Sequence, residues 1–193
     1  QRAQARVLLE IGQYETALIL LKEALTASRL TNYRYGEMRA LACLGMCYAG
    51  LGDEEEALGQ LTRAEELAEG INSKMDVNLI RVDIIAVLIG LAKPQALSRA
   101  ESLALQVLSD RDDGLFQGSV IFSMKHLARV HFARGNFDES LRYAGEAVRA
   151  MERPANRDIA LDPRVYFTLY LILERMGDEK AARPSNRDIC RSR

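Results

Sequence analysis

One pattern recurs along this chain at intervals near forty residues, and it limits the possible fold more than any other feature. Its clearest copy is LACLGMCYAGLGDEEEALGQLTRA, residues 41–64. Leu41, Leu44, Gly45 and Tyr48 fall on one face of a helix, and Ala57, Leu61 and Ala64 on one face of the next. Gly52 suits the left-handed end of the first helix. Asp53 suits the cap of the second, with Glu54, Glu55 and Glu56 at the positive end of its dipole. The segment predicts a helical hairpin.

The pattern has four further copies. Upstream, Leu8, Gly12, Ala17, Leu21 and Ala24 take the places of Tyr48, Gly52, Ala57, Leu61 and Ala64. Downstream, Leu127, Ala128, His131, Gly135, Ser140, Ala144 and Ala147 follow the same order from Leu44 onward. A weaker copy has Ile84, Val87, Leu88, Leu91, Gln95, Ala100, Ala104 and Val107, and an incomplete one has Tyr166, Leu169, Tyr170, Leu173, Gly177 and Ala182. The expected turns are therefore residues 12, 52, 95, 135 and 177, spaced by 40, 43, 40 and 42. Small residues such as Gly45, Ala57 and Ala64 let two helix axes approach closely. One such pair cannot bury its apolar face alone, whereas a stack of pairs can. A length of 193 residues thus reads as about four and a half stacked hairpins, not as one or two globular cores.

Leu41-x-x-Leu44-Gly45-x-x-Tyr48…Gly52…Ala57…Leu61…Ala64 resembles the W-x-x-L-G-x-x-Y…G…A…F…A pattern of the tetratricopeptide repeat (TPR) family. The family's Trp is missing throughout, and the period exceeds the usual ~34 residues, so each helix is expected to gain roughly one turn. This resembles the long-helix branch, MalT-like or LGN-like. The resemblance implies an all-α, right-handed superhelix, a TPR-like solenoid over residues 1–182. Its repeats are expected near 1–32, 36–71, 79–111, 119–152 and 163–182, followed by a polar tail at 183–193.

Other classes lack their residues. His126 and His131, the only histidines, lie five apart on one predicted helix, off the i, i+4 spacing of a metal pair. His131 is expected to pack in the core at the place of Tyr48. Cys43 and Cys47 have no further ligands nearby and read as small buried hydrophobes. There is no glycine-rich phosphate loop, so the expectation is a non-enzyme with no cofactor and no metal. A sequence pI near 6.2 speaks against a nucleic-acid binder. No run approaches the ~18 apolar residues of a membrane span. No signal peptide is visible, and the cysteine usage suits the cytoplasm. The first helix opens without a cap, as expected of a piece of a larger protein.

The resemblance places a binding groove at the second, fifth, ninth and twelfth residues of each copy. These are Arg2 and Arg6; Arg39, Ala42, Met46 and Ala49; Val82, Ile85, Ile89 and Ala92; Phe122, Lys125, Arg129 and Phe132; Arg164, Phe167, Leu171 and Glu174. The run LIRVDIIAVLIGLA is apolar nearly all round, which fits either a buried central helix or the groove floor. The expected partner is a protein or peptide that joins acidic groups to apolar anchors. Residues 111–193 carry 15 basic and 12 acidic residues, against 11 and 15 in residues 1–110. The bet therefore falls on Lys125 and Arg129, neighbours at i, i+4. A chaperone-tail clamp is disfavoured, since Ala42 and Met46, and likewise Ile85 and Ile89, stand where its Lys and Asn would be. The alternatives are an effector-sensing domain of a bacterial transcription regulator or signalling ATPase, and self-association through Ala5, Leu8 and Leu9. The segment Arg-Pro-Ala-Asn-Arg-Asp-Ile at 153–159 returns almost unchanged at 183–189, and carries no functional assignment.

Overall fold

The computed structural model describes residues 7–9, 11–110, 117–153 and 163–177. Among these, residues 7–9 are helical and precede α1 (Tyr14–Leu30), α2 (Arg34–Leu51), α3 (Glu54–Gly70), α4 (Lys74–Gly90), α5 (Pro94–Ser109), α6 (Gln117–Ala133), α7 (Phe137–Met151) and α8 (Pro163–Arg175). The chain is all-α, its helices packed as sequential hairpins. The groove positions Arg2 and Arg6, and the 183–193 tail, lie outside the described residues.

Left-handed residues set the hairpins. Gly12, Gly52, Gly135 and Gly177 have φ between 75° and 80°. At Gly52 the amide donates to the Ala49 carbonyl at 3.2 Å and that of Asp53 to the Tyr48 carbonyl at 2.9 Å, closing the last turn of α2. Between hairpins the same job falls to asparagine, Asn32 at φ 51° and Asn72 at φ 55°, the residue type that tolerates this conformation best after glycine. Asp53 caps α3 by accepting the Glu56 amide at 3.2 Å.

The third turn departs from expectation. Its left-handed residue is Ala92 (φ 52°), not Gln95; Lys93 is the cap and Pro94 opens α5. Gly12, Gly52 and Ala92 are thus spaced by forty and forty. The first helix of the third copy slides by three residues as a result, whereas Ala100, Ala104 and Val107 of α5 are buried as the pattern expects. Asp76, Asn78, Ile80, Ile84, Ile85 and Val87 are buried on α4, forty residues after Gly36, Met38, Ala40, Leu44, Gly45 and Cys47 on α2. Ile84 therefore matches Leu44, and Ile85 matches Gly45. The slip has a physical origin: α4 is apolar on nearly every side, so its periodicity is faint, and alanine gives no turn signal. An alanine held at positive φ is strained by about 1–2 kcal/mol, partly offset by glycine's greater unfolded-state entropy. Ala92→Gly is expected to raise the unfolding free energy by about 0.5–1 kcal/mol in a urea titration. A drop in stability would refute the strain assignment.

Residues 1–91 and 92–193 form two compact units. In the first, Ala17, Leu21, Leu44 and Cys47 make a core flanked by Leu8, Leu9, Tyr14 and Tyr48. The Cys47 thiol donates to the Tyr14 carbonyl at 3.2 Å, and burial pushes it up to about 11, as befits a packed rather than reactive cysteine. Helices α2 and α3 meet at Gly45, where a Cβ would lie 2.5 Å from Leu61 Cγ and 3.0 Å from the Ala57 carbonyl oxygen. Arg81 of α4 reaches Glu65 at 2.6 Å and Glu69 at 3.2 Å on α3.

In the second unit, Val120, Ile121 and Met124 of α6 pack with Ala147, Ala150 and Met151 of α7 and Val165 of α8. Ala128, Ala144 and Ile172 form a second cluster. Ser140 replaces the small alanine of the pattern and stays satisfied while fully buried, its hydroxyl donating to the Ala128 carbonyl at 2.7 Å. His131 stacks on Tyr143 at 5.4 Å between ring centroids, as expected of a packed histidine, with Arg142 over Tyr143 at 4.0 Å. Glu101 of α5 reaches Arg134 at 2.6 Å and His131 at 3.6 Å.

Candidate functional site

The second unit brings the basic and aromatic positions together. Phe122, Lys125, Arg129 and Phe132 repeat along α6 at steps of three, four and three, the spacing of one helix face. Arg164, Phe167, Leu171 and Glu174 follow the same steps from Arg164 to Glu174, beginning at the first turn of α8. The two helices belong to consecutive hairpins and both pack on α7 through the core just described.

The side chains differ in how much they offer. Lys125 is only 6% exposed: its stem is buried and its Nζ lies 4.8 Å above the Phe122 ring. Arg129 is exposed and, among the described residues, pairs with no carboxylate. The surrounding protein still strips water from its guanidinium, which pushes it below its ordinary value. Phe132 is half-buried, edge-on to Phe137 at 5.7 Å. On α8, Arg164 is exposed, Phe167 is 58% exposed, and Leu171 is 39% exposed. Tyr170 stacks on Phe167 at 6.4 Å and donates its hydroxyl to Glu174 at 3.2 Å. Phe167 and Arg164 thus stand exposed one turn apart on α8.

In the sequence, His126 is weighed only as half of a metal pair and Ser123 is not singled out. His126, between Lys125 and Arg129, is 3% exposed, and Ser123 is fully buried one turn earlier. Among the described residues, neither Ser123 Oγ nor His126 Nδ1 has a hydrogen-bond partner. Burial, then the charges of Lys125, Arg129 and Arg164, push the imidazole well below its ordinary value of 6.5. The sequence signal is three polar residues, Ser119, Ser123 and His126, at helical steps of four and three among apolar neighbours on α6.

The first unit offers less. Arg39 of α2 is partly buried and lies 3.6 Å from the Asp76 carboxylate at the start of α4, which also accepts the Ser73 hydroxyl at 2.6 Å. It works as a clamp between α2 and α4. Met46 is half-buried and Ile89 is 8% exposed. Ile85 has no exposed surface and stands at the place of Gly45. It is a packing residue, which corrects its assignment to the groove.

Residues 123–153, spanning most of α6 and all of α7, match the sequence model described as a tetratricopeptide repeat. The fold agrees over nearly the whole chain. A Podosopora anserina structure, described as having kinesin light chain nearly identical TPR-like repeats, superposes with a TM-score of 0.68 at 17% identity, covering 97% of this chain and 90% of that one. The chain has the TPR-like solenoid fold. BtubC (BKLC) from P. vanneervenii gives a TM-score of 0.68 at 18% identity, covering 94% of this chain and 73% of that one. No curated protein matches by sequence. TPR domains are in general non-catalytic scaffolds for protein interaction. Among the described residues, no three or more His, Cys, Asp or Glu gather as a metal site. No described helix is long and apolar enough to cross a membrane.

Proposed function

We propose that this chain is a non-enzymatic docking scaffold, and that the face of α6 and α8 carrying Arg129, Arg164 and Phe167 binds a partner protein through an acidic peptide with apolar anchors. The observation that carries this reading is the placement of the 58% exposed Phe167 on the same face of α8 as the exposed Arg164, one turn away. An apolar residue of the partner has a ring to cover, and an acidic neighbour has a cation to meet. Lys125 and Phe122 back this face from α6 as a packed cation–π pair.

The test is a fluorescence-polarisation screen of short peptides that combine Asp or Glu with Leu, Phe or Trp. Peptides of this class are expected to bind, and binding is expected to weaken as salt rises from 50 to 300 mM, since part of the attraction is between exposed charges. Preference for basic peptides, or binding indifferent to salt, would count against this reading.

A further inference from the structure

We propose that the face built on Arg129, Phe167 and Leu171 takes a second copy of this chain, docking there the acidic hairpin tip where α2 turns into α3. This deepens the groove reading and rests on it. The tip is Leu51-Gly52-Asp53-Glu54-Glu55-Glu56. It joins acids to an apolar anchor, the partner chemistry that the face asks for. Leu51 is 43% exposed, and Glu55, four residues on, is exposed as well. Among the described residues neither Glu54 nor Glu55 joins an ion pair, whereas Asp53 is occupied as the cap of α3 and Glu56 accepts the Gln60 side-chain amide. Between Arg39 and Arg63 the sequence has no lysine or arginine. The tip is also ordered before it binds. Gly52 is left-handed at φ 80°, the Asp53 amide donates to the Tyr48 carbonyl, and the Asp53 side chain holds the first turn of α3. Docking it costs less conformational entropy than docking a free peptide.

Charge complementarity selects a copy of this chain as the occupant. Residues 1–91, the unit that carries the tip, hold 9 basic and 13 acidic residues, and residues 92–193, the unit that carries the face, hold 17 and 14. One unit is net negative and the other net positive, so two copies attract tip to face and repel where like units meet. On the receiving side, Ala128 of α6 and Ile172 of α8 share one apolar cluster, and the residues next to them, Arg129 and Leu171, are exposed. Phe167, one turn before Leu171, is 58% exposed. Leu51 of one copy thus has a ring and a leucine to cover on the other, and Glu55 has Arg129. Leu8 and Leu9 flank the core of the first unit and take no part. The contact joins two different surfaces, so the copies meet head to tail.

Sedimentation equilibrium of the full chain tests this from about 10 to 500 μM, the range in which a small contact acts. The weight-average mass is expected to reach at least about 1.5 chains at the top of that range, and to fall back as salt rises from about 50 to 300 mM. Arg129→Glu alone and Glu55→Arg alone are each expected to stay single at every concentration. Their equimolar mixture is expected to recover a two-chain species, since the first variant keeps its tip and the second keeps its face. Glu55→Gln, which places no cation at the start of α3, is expected to weaken assembly at least about threefold. A wild-type chain that stays single throughout, assembly that both charge reversals leave intact, or a mixture no heavier than its parts would overturn the contact. Single chains that still bind an acidic peptide overturn self-docking and leave the groove reading standing. Assembly that needs Glu55 and Arg129, in a chain indifferent to acidic peptides, supports the self-contact and removes the peptide reading.

Discussion

Leu61→Ala is expected to destabilise the protein by about 2–5 kcal/mol and Gly45→Ala by about 1–3 kcal/mol, yet the double variant by clearly less than their sum. Leu61 is fully buried, so truncation leaves a cavity as well as losing transfer free energy. Gly45 fails for the opposite reason. A methyl added there would press on Leu61 Cγ at 2.5 Å, a branch point and not the free end of a flexible chain. The Ala57 carbonyl oxygen at 3.0 Å blocks the other direction. Removing the Leu61 side chain removes the obstacle, and the new methyl partly fills the space it leaves. A double-mutant cycle by urea unfolding measures the coupling. Strict additivity would mean that α2 and α3 part easily, and that the small residues of the pattern are incidental to the hairpin.

The second large effect concerns binding. Arg129→Glu is expected to weaken an acidic peptide at least about tenfold, or roughly 1.4 kcal/mol, with little change in melting temperature. Its side chain is exposed and joins no ion pair among the described residues, so the fold does not depend on it. Lys125 is a poorer test of binding. It is 6% exposed against Phe122, and a carboxylate in its place would be buried next to an aromatic ring. Loss of binding in Lys125→Glu alone would not separate recognition from folding, whereas Arg129→Glu does. Undiminished affinity in Arg129→Glu, measured by isothermal titration, would remove α6 from the site.

The hairpins are legible in the sequence because their turns are chemical. Gly12, Gly52, Gly135 and Gly177 occupy a conformation that other residues enter at a cost, and the small residues beside them mark where helices touch. The third turn is illegible for the same reason. Ala92 takes the left-handed conformation with no glycine to announce it, and α4 has too few polar residues to show which side faces out. From that one slip came the misplacement of Ile85. The face of α6 is legible too, since Phe122, Lys125, Arg129 and Phe132 keep strict helical spacing. What spacing does not show is depth. Lys125 and Arg129 look equivalent on a helical wheel, but one lies over a phenylalanine ring and the other is exposed. His126 is the extreme case, a polar residue beside Lys125 that is only 3% exposed.

The most direct measurement is an amide chemical-shift map of the full chain on addition of an acidic peptide with one aromatic anchor. The account predicts that the largest changes fall on Phe122, Arg129 and Phe132 of α6 and on Arg164, Phe167 and Leu171 of α8. Changes concentrated on α5 and α7, with those six residues unmoved, would contradict it.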